Sequence, residues 1–227
     1  SVGKLAYKGG IIYFEYSSDF LESNLQISPY KLPLKSGVHI CEDKVFEGLF
    51  GVFGDSLPDG WGRLLLDRHF LKRGVSYNEI TPLDRLSYIG HFGIGALSYE
   101  PIIDDIEMSD NEEIVLDELA SASHEIIHGN SEDMLEELLS LGGSSAGARP
   151  KVMLQLSQDK QQILHGTQNL HNGYEHWMVK FASSNDSMDI GKIEYAYYLM
   201  AKDAKIDMSE SALLYGKNNS YFATKRF

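Results

Sequence analysis

Cysteine is almost missing from this chain. Cys41 is the single one in 227 residues, so no disulfide can form within the chain and a reducing compartment is expected. Long apolar runs are missing as well: none approaches the roughly 20 residues that a membrane helix needs, and no stretch resembles a signal peptide. A soluble, cytoplasmic protein with no membrane partner is the expectation. Positive charge is in deficit, with a formal net charge of −13. Nucleic-acid binders carry a basic patch or stripe, so direct nucleic-acid contact is not expected. Internal repeats and low-complexity tracts are absent too. What is present is a 43% hydrophobic content, enough for an ordinary core in one large domain or two small ones. The chain opens on Ser1 within a strand pattern and stops at Phe227 directly after another, and is read as part of a longer protein.

Residues 1–100 read as a small mixed α/β subdomain. Leu5, Tyr7 and Ile11 to Tyr16 suit a strand pair around Gly9-Gly10. Trp61 to Arg73 suits an amphipathic helix carrying Trp61, Leu64, Leu65, Leu66, Phe70 and Leu71, with Gly74 at its left-handed end. Thr81, Pro82 and Asp84 form the start of another helix. Gly93 to Tyr99 reads as a tight turn into a strand. Residues 101–140 are an acidic helical connector, with Ser109 and Glu112 at capping-box spacing for a helix holding Ile114, Leu116 and Leu119. Ser131 is placed to cap a helix with Met134, Leu135, Leu138 and Leu139. From 141 to 227 the order is glycine-rich loop, hairpin (Val152 to Leu156 with Gln162 to His165), strand (Trp177 to Phe181), helix (Ile193 to Ala204) and closing strand. The fold class is therefore α+β.

Chemistry points to two places. The segment Leu141 to Lys151 (LGGSSAGARPK) is small, flexible and rich in backbone N–H donors, so it can approach a triphosphate closely. It is not a Walker A loop, since Ala148 follows Gly147 where a lysine would be needed. It leads into a strand, as protein-kinase glycine loops do. A glycine-serine linker at a domain junction has the same composition. Alternation puts Lys180 on the strand face opposite Trp177, Val179 and Phe181, where its ammonium could neutralise phosphates with Glu194 as partner. An exposed strand lysine beside an unrelated surface carboxylate has the same pattern. His124 and His128 have helical metal-pair spacing, but Gly129 marks a helix end and no third ligand is evident, so no metal site is assigned. Asp55 and Asp59 read as turn and capping residues, and Arg63 and Arg68 as structural ion-pair formers.

The run Phe53 to Arg63 (FGDSLPDGWGR) is similar to the first-domain signature of the HipA family of bacterial toxin kinases. Gly142 to Lys151 resembles that family's glycine-rich loop, Trp177 to Phe181 its ATP-lysine strand, Glu194-Tyr195 and Ala201 the following helix, and Thr224 to Phe227 the start of its hinge. The resemblance implies a kinase-like N-lobe, an antiparallel sheet plus helix, cut before a helical C-lobe. It further implies that Ala146, Gly147, Ala148, Arg149, Pro150 and Lys151 contact ATP phosphates, that Lys180 pairs with them, and that Lys225, Arg226 and Phe227 lie at the adenine. Ser144 matches the family's autophosphorylated loop serine, with Ser145 beside it. The catalytic aspartate and the Mg²⁺ ligands would fall beyond residue 227, so this stretch alone is expected to be inactive. The full protein is expected to be an ATP- and Mg²⁺-dependent serine/threonine kinase acting on a protein substrate such as an aminoacyl-tRNA synthetase, restrained by a HipB-like DNA-binding antitoxin. The alternative is a non-catalytic HipA-like module that neutralises or scaffolds a partner kinase.

Overall fold

The computed structural model describes residues 1–91, 93, 95–102, 114–130, 133–142, 147–165 and 170–226. The chain starts with β1 (Gly3–Lys8), β2 (Ile11–Tyr16), α1 (Ser18–Glu22), β3 (Val38–Ile40), α2 (Gly51–Gly54), α3 (Gly60–Lys72) and α4 (Pro82–Ile89). It continues through α5 (Leu116–His128), α6 (Leu135–Gly142), β4 (Lys151–Ser157), β5 (Ile163–Leu164), β6 (Tyr174–Lys180), α7 (Ile190–Asp203), β7 (Ser211–Tyr215) and β8 (Ser220–Lys225). Among the described residues all strand pairs are antiparallel, in one sheet of order β1-β2-β3 and one of order β5-β4-β6-β8-β7. The expected α+β class is the one found. Packing divides the chain into two compact units, Ser1–Leu57 with Gly74–Asp105, and Pro58–Arg73 with Ile106–Phe227.

In the first unit β1 and β2 are joined by Gly9 and Gly10, whose φ of +60° and +81° suit the mirror-image turn that matches strand twist. Alternation on β2 turns Ile12, Phe14 and Tyr16 inward, where they pack with Leu32, Leu49, Phe50, Phe53 and Leu86. Each such side chain contributes about 1.5–3 kcal/mol on burial. The Tyr16 hydroxyl donates to the Leu32 carbonyl at 2.8 Å, which satisfies it inside the core. The start of α4 is the expected one: Thr81 and Asp84 form a reciprocal capping box with Pro82 at the first helical position. The strand expected after Gly93 does not form. Instead the Tyr99 N–H donates to the Gly90 carbonyl at 3.0 Å and its hydroxyl to Ser56 Oγ, 43 positions away, at 2.7 Å.

The second unit is built around β4 and β6, where Val152, Leu154, Leu156, Trp177 and Val179 are fully buried. Helix α6 buries Leu135, Leu138, Leu139 and Leu141 and packs on both α3 and β4. Sequence order alone put α3 with the first hundred residues, but its Trp61, Leu65, Leu66 and Phe70 are buried in this second unit. Two helix starts differ from expectation. Ile114 is buried just ahead of α5, and Met134 precedes α6, while Ser109, Glu112 and Ser131 lie outside the described residues. Helix α7 packs on β7 and β8, with Gly191 so close that a Cβ there would meet the Ser220 carbonyl at 2.6 Å. Its apolar spacing does not produce a buried face: Ile193, Tyr197 and Met200 are exposed. The turn between β7 and β8 is held from α5. The Asp117 carboxylate accepts from the N–H groups of Lys217 (2.7 Å) and Asn218 (3.2 Å) and from the Tyr221 hydroxyl.

Candidate functional site

Strand register builds the site. Lys151 opens β4, Lys180 closes β6, and Phe222 lies on β8; Lys151 pairs with Lys180 and Lys180 with Phe222. Cross-strand partners share a face, so these three side chains stand in one row, opposite the face of Trp177 and Val179. The Lys180 ammonium lies over the Phe222 ring, 5.2 Å from its centroid. Its ion pair with Glu194 Oε2, near the start of α7, spans 3.1 Å without hydrogen-bond alignment. The expected lysine partner is thus beside the lysine.

Glu194 also reaches the loop. Its Oε1 accepts from Arg149 Nη1 at 3.0 Å, while Arg149 Nη2 donates to Asp186 Oδ1 at 2.9 Å. Asp186 is itself fixed by the Ser183 N–H (2.9 Å) and hydroxyl (2.8 Å). Those Ser183 bonds, chiefly the backbone one, outweigh burial and hold the Asp186 carboxyl below the usual range, with Arg149 adding to the effect. One carboxylate, Glu194, therefore ties the loop arginine to the strand lysine. Each of these partly exposed pairs contributes about 0.2–1 kcal/mol to stability, so their value lies in placing charge and not in holding the fold.

The N-terminus of α3 forms the other wall. Gly147 has φ +107°, a conformation that favours glycine, and a Cβ there would meet Lys151 Nζ at 2.7 Å. Its carbonyl accepts from Lys151 Nζ at 2.8 Å and from the Trp61 N–H at 3.1 Å. Its N–H donates to Asp59 Oδ1. Trp61 Nε1 donates to the Lys151 carbonyl at 3.1 Å. Gly60, φ +43°, approaches so closely that a Cβ would lie 2.5 Å from Ala148 Cα. Burial pushes the Lys151 ammonium down from its ordinary value and Lys180 adds to this, while Asp59 opposes it. Arg149, Lys151 and Lys180 against Asp59, Asp186 and Glu194 make a charge-balanced cluster beside a glycine loop. Its three cations are the groups that could meet an anion here, Arg149 being held by Glu194 and Asp186, Lys180 by Glu194 and Lys151 by the Gly147 carbonyl.

The remaining expected residues divide. Pro150 is buried with its carbonyl accepting from the Phe181 N–H at 2.9 Å, and Ala148 is exposed. Ser144, Ser145, Ala146 and Phe227 lie outside the described residues. The expected adenine end is less open than its residue types imply. The Lys225 N–H donates to the Glu210 carbonyl and the Arg226 N–H to the His176 carbonyl, both at 2.8 Å. Lys225 pairs with Trp177, so its ammonium stands on the face opposite Lys180 and meets Glu175 Oε1 at 2.6 Å. The rings of His124 and His128 lie 4.3 Å apart, tilted by 49°, beside the left-handed Gly129 cap, and among the described residues no group of three or more His, Cys, Asp or Glu could hold a metal ion. Arg63 pairs with Asp67 at 3.6 Å, the structural role expected of it. Two residues were missed. Asp186 had no sequence signal. Asp59 was read as a helix cap, but although it sits at the N-cap of α3 its side chain makes no cap bond, forgoing about 1 kcal/mol, and serves Gly147 instead.

Fold and site together define an α+β protein with a cation-lined glycine loop at one end of a five-stranded antiparallel sheet. Two family models match, the HipA N-terminal domain over residues 1–100 and the HipA-like C-terminal domain over residues 143–227. The chain belongs to the HipA family. Among solved structures it is similar to HipA of Shewanella oneidensis MR-1, determined as a toxin-antitoxin complex of HipA, HipB and operator DNA. The likeness has 17% identity and a TM-score of 0.58, and covers 100% of this chain and 48% of that one. The chain thus spans about half the length of that relative. No curated protein matches. Among the described residues no helix is long and apolar enough to cross a membrane.

Proposed function

We propose that this chain is the nucleotide-gripping part of a HipA-type serine/threonine kinase, taking the phosphates of ATP with Mg²⁺ between residues 147–151 and Lys180. One observation carries the reading: Glu194 holds Arg149 of the loop at 3.0 Å and Lys180 of the strand at 3.1 Å, so both cations converge on one place. ATP would supply the phosphoryl group. The chain's own part is to present backbone N–H groups at the loop, set Lys151 and Lys180 against the phosphates, and keep Lys180 aimed through Glu194. The base would sit along the end of β8 at Lys225 and Arg226, toward Phe227. Since the N–H groups of Lys225 and Arg226 are committed within the sheet, base recognition at these two residues falls to their carbonyl oxygens.

In this reading the whole protein phosphorylates a cytoplasmic protein, such as an aminoacyl-tRNA synthetase. Autophosphorylation at Ser144 or Ser145 would place nearly two extra negative charges beside the phosphate site and repel the nucleotide. A HipB-like protein would restrain it and carry the DNA contact, which suits a chain of net charge −13. Binding is the direct test. Saturating MgATP, at about 100 times its dissociation constant, adds about 2.7 kcal/mol to the stability of a protein that binds it. Calorimetry and thermal melts should therefore register MgATP for the wild-type chain, and Lys180→Ala should lose most of that response. A wild-type chain whose melting is indifferent to millimolar MgATP would refute the reading.

A further inference from the structure

The start of α3 is tied to the loop at residues 147–151 by more than packing needs. Asp59 accepts the Gly147 N–H, Trp61 donates its own N–H to the Gly147 carbonyl at 3.1 Å, and the Trp61 indole donates to the Lys151 carbonyl at 3.1 Å. Gly60 leaves no room for a side chain against Ala148. Both polar groups of Gly147 are therefore claimed by residues 88 and 86 positions earlier in the chain. Asp59 stands where a cap should stand, in extended geometry at φ −114°, ψ 171°, yet its carboxylate turns to the loop.

We propose that Asp59 is a positioning residue for the polyphosphate: by fixing the Gly147 backbone it sets the direction of the loop's N–H groups and of the Lys151 ammonium. This rests on the nucleotide-binding reading of the same loop. With N–H and carbonyl both held, the two peptide units that meet at the Gly147 Cα are restrained near φ +107°. The Gly147 carbonyl in turn holds Lys151 Nζ at 2.8 Å, so orientation passes from Asp59 through one residue, across its Cα, to a cation beside Lys180. The negative charge of Asp59 near that ammonium also favours its protonated form. Preorganisation of this kind raises affinity because the loop's ordering is complete before the ligand arrives.

The test measures calorimetric affinity of the 227-residue chain for MgATP and for inorganic tripolyphosphate, with the unliganded melting temperature and circular dichroism as controls of folding. Asp59→Ala should weaken both ligands by about tenfold or more. Asp59→Asn, which keeps an oxygen to accept the Gly147 N–H, should recover most of the loss. A general structural defect would not be rescued in binding by so small a change while the two ligands move together. Wild-type affinity in Asp59→Ala overturns the proposal. So does tighter binding, which would make the carboxylate a mere competitor of phosphate, and so does an Asp59→Asn chain that folds normally but binds as weakly as Asp59→Ala. If Asp59→Ala fails to fold, the asparagine variant decides alone, with affinity within about threefold of wild type supporting the role and a larger loss overturning it. A wild-type chain that binds neither ligand removes the nucleotide-binding reading itself and this inference with it; any failure confined to the variants removes only the inference.

Discussion

Replacing Asp117 should loosen the hairpin that carries β8. In the native fold its carboxylate receives the Lys217 N–H at 2.7 Å, the Asn218 N–H at 3.2 Å and the Tyr221 hydroxyl. A buried hydrogen bond to a charged group contributes about 1.5–3 kcal/mol, but Asp117 is only partly buried, so water competes and the set together contributes about 2–3 kcal/mol. Asp117→Ala should therefore lower the melting temperature by about 4–12 °C at neutral pH. Asp117→Asn keeps one acceptor oxygen but turns an amide toward the other donors, and should lose about half as much. The Tyr221 hydroxyl, ahead of the two N–H groups, holds the carboxyl below its ordinary 3.8. A depressed carboxyl pKa means that the unfolded chain binds more protons in the intervening window. The stabilisation is thus complete above about pH 4–5 and is lost as pH falls through the folded value. The gap between wild type and Asp117→Asn should narrow from pH 6 toward pH 3 in calorimetric or circular-dichroism melts. A gap that is the same at both pH values, or an alanine variant melting with the wild type, would refute the account.

Two further substitutions test the loop's wall and the first unit's core. Gly60→Ala drives a Cβ to 2.5 Å from Ala148 Cα at φ +43° and should weaken MgATP binding severalfold, read by calorimetry, whereas Gly74→Ala, at φ +82° with open space around it, should cost about 1 kcal/mol of stability and leave binding alone. Tyr16→Phe leaves the buried Leu32 carbonyl without its 2.8 Å donor and should reduce stability by about 1 kcal/mol in urea unfolding, with no change in the denaturant slope.

Much of the fold was legible because it is locally encoded. The Gly9-Gly10 turn, the Thr81 capping box and the Trp177/Val179 alternation each follow from a few adjacent residues whose backbone preferences agree with their tertiary setting. The pair Lys180 and Glu194 was legible in the same way, from strand alternation followed by a helix start. What did not transfer was burial. The α7 stripe at Ile193, Tyr197 and Met200 has ideal spacing and is exposed, since periodicity states that a helix has a face and not that anything covers it. Leu97 to Tyr99 has strand-forming residues, but among the described residues no strand pairs with it.

By itself, then, the sequence determined the α+β class and marked the glycine-rich loop and the strand lysine as candidates, because these rest on local propensity and residue chemistry. Only the tertiary structure decided that Arg149 and Lys180 share Glu194, that Asp186 fixes the arginine, and that Asp59 serves Gly147 instead of its own helix. Those contacts join residues up to 88 positions apart. Their geometry depends on strand register and on where the start of α3 meets the loop, and neither is written in the short-range pattern of any one segment.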